Sequence, residues 1–420
     1  MLKLFCRVVL ACFSHASEYK KGFVVQTFLY KKEIDDINSS GYLKKDTSIT
    51  DALIENFYQE IMGKEEKVLI DLLLSSNSSQ DKLEKLLRDW DIEAKQGAKN
   101  LLLAYLLKIH PELKATNYEE PRLKGLLQHQ RFSNLKIVAH YTKIGRELNK
   151  HGIIPMIFKG GLMRFLNQEF PRYMGDIDIM VPDKEWVKSA KIAKSLGYWF
   201  KRLDVHSFDI LENNDSKYGI LDIHKFIHIS SKNEKKWIKG LFKRATEQDV
   251  YGVKTLVPCF EDLMFITLVN LSNNLREHKT QANLLYAIFD CKYLLENKPD
   301  FNWNIVIENT KLTNAEVQIN LAMKFINKIS ENILPRELQS KYLFEKETND
   351  YSRMIMFKNF YYVELQAKSR AMKIQEVFNN KISWSEYLKL KIKYKSLKYL
   401  NKHPRLIEIF IKDLNRIYHN

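Results

Sequence analysis

Hydrophobic positions along this chain change period twice. From Met1 to about Leu127 they recur at helical spacing, as in Asp51–Met62, where Ile54, Phe57, Tyr58 and Ile61 share a face, and in Lys82–Leu107. Ser75–Ser79 reads as a polar linker between those stretches, and His110 before Pro111 marks a helix end. A further helix is expected from Ser133, taken as its N-cap, with Ile137, Val138, Tyr141, Ile144 and Leu148 on one face and Gly152 past its end. The period then shortens. Ile153–Phe158 is short, apolar and closed by glycines, which suits a buried strand, and Asp176–Val181 alternates. Lys184–Leu196 predicts a helix with Asp183 as its cap and Gly197 beyond it. Tyr198–Phe200, Val205–Leu211 and Tyr218–Ile227 read as strands, the last two joined by a turn at Asn213-Asn214-Asp215, and Val250–Val257 reads as a hairpin turning at Gly252. After Pro258 the helical period returns. Phe265, Leu268, Val269, Leu284, Ile288, Tyr293 and Leu294 form the core face of a helical pair, and helices continue with breaks near Pro299, Pro335 and Pro404. The expected class is α+β. A mixed β-sheet with helices over 128–258 is flanked by helical regions at 1–127 and 259–420.

The chemistry that this pattern suggests is concentrated between Ile153 and Val181. The first apolar run ends at Lys159-Gly160-Gly161, and a helix should follow. Two glycines let backbone approach a phosphate, the helix N-terminus favours an anion, and Lys159 adds a point charge. In the second run Asp176 and Asp178 stand two residues apart, so on a strand both carboxylates leave one face. Together they suit Mg²⁺, a hard cation that also takes nucleotide phosphates as ligands. Spacing alone is weak evidence, since about one Asp-x-Asp is expected by chance in a chain this long. Asp89-Trp90-Asp91 is such a case, with no glycine turn before it and no alternation around it.

The order strand, Gly-Gly turn, short helix, Arg172, alternating strand with two carboxylates resembles the polymerase-β-like nucleotidyltransferase superfamily. Phe158-Lys159-Gly160-Gly161, then Arg172-Tyr173-Met174-Gly175-Asp176-Ile177-Asp178, and later Leu221-Asp222-Ile223-His224, are similar to a bacterial family of uncharacterised nucleotidyltransferases, over roughly Arg131–Asp290. The resemblance implies a polymerase-β-like core and transfer of NMP from an NTP such as ATP to a hydroxyl-bearing acceptor, with pyrophosphate leaving. Asp176 and Asp178 are then metal ligands, and Asp222 is a third carboxylate that completes a second ion's shell or receives the acceptor's proton. The implied cofactor is Mg²⁺ or Mn²⁺. Arg172 would hold phosphate oxygens with its planar fork, a solvated loop arginine being the alternative. His224 shares a strand face with Asp222, Phe226 and His228. It either touches substrate or is a satisfied structural histidine. The Asp222-x-His224…His228 spacing also evokes zinc, which hard phosphate chemistry disfavours. Arg164, on the short helix, reads as solvent-facing.

Composition changes little in this picture. With 420 residues, 45% of them hydrophobic, the chain can bury a large core and divide into two or three domains. A net charge of +16 points to an anionic partner, nucleotide, RNA or an acidic membrane surface, although a diffuse solvated surface rich in lysine accounts for it equally. The acceptor stays open among sugar, small molecule, protein and RNA. A noncatalytic nucleic-acid- or membrane-binding protein on the same fold is the alternative. Cys6, Cys12, Cys259 and Cys291 have no metal spacing and read as reduced thiols of a cytoplasmic protein. Near the N-terminus Arg7 interrupts the apolar run, favouring an amphipathic helix over a secretory signal, and no run is long enough to span a bilayer. Lys381–Lys402 mixes lysine with Trp384, Tyr387, Tyr394 and Tyr399. It reads as an ordinary amphipathic helix whose capping box is Ser383 with Glu386.

Overall fold

The computed structural model describes residues 54–55, 58–59, 62–74, 79–91, 97–113, 119–166, 174–203, 206–212, 220–227, 233–276, 281–330 and 333–335. Arg172, the turn at 213–215, His228, the N-terminal helix with Cys6 and Cys12, the Lys381–Lys402 segment and the Pro404 break lie outside them. From position 58 onward the described elements belong to one unit, Tyr58–Asn420.

Helices α1 (Lys64–Leu74), α2 (Gln80–Asp89) and α3 (Gly97–Ile109) precede the long α4 (Glu119–Lys150). The helical stretch expected over Lys82–Leu107 is therefore two helices. Ser79 caps α2 through Lys82 N, and Trp90 ends it in extended backbone, its indole donating to Asn100 Oδ1 at 2.7 Å. Ser133 is not an N-cap. It is buried within α4, whose apolar stripe starts upstream with Leu123, and the expected boundary at 127/128 falls inside this one helix. Asp183 is corrected likewise. The chain after Pro182 makes a short 3-10 turn, Asp183–Glu185, with no side-chain cap, and Asp183 instead pairs with Lys235 at 2.9 Å.

The sheet contains β1 (Met156–Ile157), β2 (Asp176–Met180), β3 (Trp199–Leu203), β4 (Ser207–Leu211), β5 (Ile220–His224), β6 (Thr246–Val250) and β7 (Val253–Val257), in the order β3-β4-β5-β2-β1-β7-β6. Pairing is parallel for β2–β5 and β1–β7 and antiparallel elsewhere. Register sorts the side chains onto two faces. One carries Ile157, Ile177, Ile179, Phe208, Ile210, Leu221 and Ile223, all buried. Helices cover it. Trp186 of α6 (Trp186–Ser195) donates Nε1 to Ile223 O at 3.1 Å and stacks edge-on against Phe208, while Gly161 of α5 (Lys159–Leu166) lies against Ile177. On α4, Tyr141 hydrogen-bonds Thr255 of β7, and a Cβ on Gly145 would stand 2.7 Å from Val253 Cγ1, so glycine is what lets this helix approach β7 so closely.

The sequence pattern did not predict α7 (Glu234–Arg244), although Trp237, Ile238 and Leu241 bury one helical face there. The final described helices are α8 (Phe260–Arg276), α9 (Gln281–Glu296), α10 (Trp303–Thr313) and α11 (Glu316–Ile329), with α8 packed against the other three. Fully buried Asp262 on α8 ties α7 to α10. It accepts two bonds from Arg244, at 2.8 and 2.6 Å, and one from Asn309 Nδ2 at 2.9 Å. No helix among the described residues is long and apolar enough to cross a membrane.

Candidate active site

The other face of the sheet holds the carboxylates. Parallel pairing of two central strands sets Asp178 of β2 directly opposite Asp222 of β5, and His224 opposite Met180. His224 Nε2 lies 2.9 Å from Asp178 Oδ1 and 3.0 Å from Asp222 Oδ2, while its Nδ1 lies 3.1 Å from Phe226 O. Both ring nitrogens thus face oxygens, the arrangement that suits an imidazolium donating from each. Lys159 Nζ donates to the same Asp178 Oδ1 at 2.5 Å. One carboxylate oxygen therefore takes two cationic donors. The ligand atoms of Asp178, Asp222 and His224 all lie within 4.8 Å of one another.

These groups are nearly dry, and their charges hold one another. His224 is buried, which alone would depress its pKa, yet the Asp222 carboxylate and the bonds to Asp178 and Asp222 raise it to about 9 against the repulsion of Lys159. Burial would push Asp178 up, but Lys159 and His224 hold it below its ordinary value. Burial opposes the charge on Lys159 as well, and Asp178 and Asp222 keep its pKa raised.

Lys159 also departs from ordinary backbone, with φ 56° in the left-handed region. For a residue with a Cβ this costs roughly 1–2 kcal/mol. The strained position is the junction between β1 and α5, next to Phe158, whose ring meets the His224 ring edge-on at a centroid distance of 5.1 Å. The glycines do not form a loop ahead of the helix as expected. Lys159, Gly160 and Gly161 are its first three residues, and both glycines are buried.

Of the expected site residues, the fold joins Lys159, Asp178, Asp222 and His224 in one cluster. Asp176 shares the strand face but is exposed at the start of β2, opposite Ile220, outside the three-residue metal-ligand group. His224 takes a more central place than expected, bridging two carboxylates. Sequence reasoning overlooked Asp209 and Ser207. Antiparallel pairing of β4 with β5 sets Asp209 opposite Asp222 and Ser207 opposite His224, so the row of carboxylates is three strands wide. Alternation within Val205–Leu211 already places Ser207 and Asp209 on one face, but counting outward from the expected turn at 213–215 would have set Asp209 opposite position 219, so only the observed register brings it to Asp222.

The donor set fits a hard divalent cation. The carboxylate oxygens of Asp178 and Asp222, on adjacent strands, can share such an ion. Two adjoining cavities of about 350 and 250 Å³ lie elsewhere, meeting at Leu74 and Ser330, and no carboxylate of this row lines them. The convergence of charge, burial and shifted pKa values makes the row the better candidate for chemistry.

Comparison with known proteins agrees in class. The family model described as uncharacterised nucleotidyltransferase matches residues 70–330. No curated protein matches the chain. A solved structure described as the solution structure of the antibiotic-resistance factor ANT(2'')-Ia aligns with 12% identity over 46% of this chain and 91% of that one, at a TM-score of 0.25, too low to support any argument. The α+β architecture fits the polymerase-β-like core that the sequence resemblance implies. By a match that spans well over half its length, the chain belongs to the uncharacterised nucleotidyltransferase family.

Proposed function

We propose that this protein moves NMP from an NTP to a hydroxyl-bearing acceptor, with release of pyrophosphate, at the Asp178–Asp222 row. The family supports transfer of this class. The observation that carries the site is the meeting of Asp178 and Asp222 on neighbouring parallel strands, with His224 Nε2 2.9 and 3.0 Å from their oxygens.

Asp176, Asp178 and Asp222 would hold Mg²⁺ or Mn²⁺, which when bound neutralises triphosphate charge and polarises the reacting phosphorus. The remaining work falls to the chain. Lys159 supplies an ammonium at the head of α5 that would exchange Asp178 for a phosphate oxygen, and the N–H groups of Gly160 and Gly161 add the positive end of the helix dipole. His224 fixes the two carboxylates relative to each other and stays charged near neutrality, so the cluster keeps its shape before substrate arrives. Arg172 is assigned to the phosphates by its place four residues before Asp176. The acceptor remains a sugar, a small molecule, a protein or RNA.

The test is to incubate the purified full chain with each α-labelled NTP, Mg²⁺ and an extract of the expression host. A labelled product should form with the wild type and fall at least about a hundredfold with Asp178→Asn, since loss of one charged transition-state contact costs several kcal/mol. Equal labelling by the two proteins would remove the acidic row from the reaction.

A further inference from the structure

We infer that the outer side of α4 is a docking surface for single-stranded RNA, separate from the carboxylate row. Over positions 121–146 this helix carries Arg122, Lys124, Arg131, Lys136, Lys143 and Arg146 and no acidic residue. At the chain's average of 51 acidic residues in 420, about three would be expected in a stretch of that length. All of these cations except Arg122 are exposed. Their spacing keeps them on one side of the helix, over roughly 33 Å from Lys124 to Arg146. Tyr141 and Gly145 turn the opposite side onto β7, so the basic stripe faces away from the sheet.

Near Arg131, cations from three helices meet. Arg164 of α5 donates Nε to Asn134 of α4 at 3.2 Å, with that amide turned so that its oxygen accepts. Burial, and then the positive charges of Arg164 and Arg131, lower the pKa of Lys108 near the end of α3. A surface cluster of one sign attracts the opposite charge. Apolar side chains gather at the same place. Ile109, Phe132, Leu135 and Tyr251 are the exposed large hydrophobic residues among those described, Phe132 the most so at 61%. Ile109 follows Lys108, Phe132 follows Arg131, and Leu135 lies one turn beyond Arg131. Tyr251 meets the ring of Phe165, the residue after Arg164, edge-on at a centroid distance of 5.5 Å. It does so from the β6–β7 turn with φ 55°, a left-handed conformation that glycine or asparagine adopts with less strain.

Cations interleaved with rings suit a single strand, whose phosphates follow the charge while its bases stack on the aromatics. A lipid surface would call for a continuous apolar face, which the lysines and arginines of α4 interrupt. Gln128 and His129, exposed one turn before Phe132, can hydrogen-bond ribose 2′-hydroxyls, which favours RNA. Lys124 already pairs with Glu120, and Lys143 with Glu212. Arg131 and Lys136 are in no ion pair among the described residues, and Lys136 Nζ stands 5.0 Å from the centre of the Phe132 ring. A phosphate and its base would therefore meet Arg131, Lys136 and Phe132 together.

The test is fluorescence anisotropy of a labelled single-stranded RNA of mixed sequence, titrated with the full chain over a range of salt. No NTP is added, so the readout is independent of turnover. Three variants accompany the wild type: Arg131→Glu with Lys136→Glu, Phe132→Ala, and a control of equal charge, Lys239→Glu with Lys243→Glu, at exposed positions of α7. The α4 reversal should weaken binding at least about tenfold at low salt and reduce the salt slope by at least about 1.4, the value for two phosphates of a single strand. Phe132→Ala should weaken binding about fivefold or more and leave the slope unchanged. The α7 control should change little, and the melting temperatures should stay close to wild type, because every substitution is at the surface. An equal loss from the α7 control would mean diffuse charge without a site and would overturn the inference. So would full binding by Phe132→Ala, tighter binding of DNA of the same sequence, or a wild type that ignores RNA and binds phosphatidylserine vesicles through these residues.

Discussion

Asp178→Ala is expected to be the most damaging single change at the site, in stability as well as in rate. The carboxylate holds two charged donors in a nearly dry place, with Lys159 Nζ at 2.5 Å and His224 Nε2 at 2.9 Å. Removing one member of a buried ion cluster leaves its partners charged and uncompensated, which typically costs about 3–5 kcal/mol. Surface pairs give no such effect, being worth at most about 1 kcal/mol. Lys143 with Glu212, both half-exposed and 2.8 Å apart, provides that comparison within the same protein. Urea unfolding should therefore show a loss of several kcal/mol for Asp178→Ala and little for Glu212→Ala. Asp178→Asn, which keeps the volume and one acceptor oxygen, should fall between the two. A midpoint unchanged by Asp178→Ala would mean that the two donors are not held by this carboxylate.

The second large effect is on pH. In the unfolded chain His224 titrates near its ordinary value of 6.5, and in the fold at about 9. Between those values the native state binds the extra proton, so unfolding releases it and stability falls as pH rises. The contribution is fully present below about pH 6.5 and lost as pH climbs through 9. At 1.36 kcal/mol per unit the difference is of the order of 3 kcal/mol. Asp178 acts at the other end of the scale. Its depressed pKa contributes stability that is present above the ordinary carboxylate value and lost as acid protonates it. Wild type should thus unfold at clearly lower urea at pH 9.5 than at pH 6.5. The matched His224→Gln variant should lose most of that dependence. Parallel slopes for the two proteins would show that another group carries it.

How far the sequence foretold this arrangement depends on whether contacts are local. Alternation in Asp176–Met180 put both aspartates on one face with no need of the rest of the chain, and the same holds for Asp222 with His224. What alternation cannot give is the neighbour of a strand. The parallel pairing of β2 with β5 brings together residues 44 apart in number, Asp178 and Asp222, through an intervening α6, β3 and β4. Here the family resemblance supplied what periodicity lacked. Asp209 was overlooked because a single aspartate in Ser207–Leu211 has no motif around it, and only the register of β4 on β5 reveals its partner. The helix errors have a different origin. Ser133 has the right residue type for a cap, but the buried face of α4 continues on both sides of it, so tertiary packing overrode the local preference. Lys159 shows the opposite case. A lysine before two glycines gives no hint that it would itself adopt φ 56° and turn back onto Asp178.

The most direct measurement of the central claim is electron paramagnetic resonance of Mn²⁺ bound to the full chain with a non-hydrolysable NTP analogue. An analogue-dependent bound signal is expected in the wild type and is lost in Asp178→Asn and in Asp222→Asn, with both variants shown to be folded. A signal that survives both substitutions unchanged would contradict it.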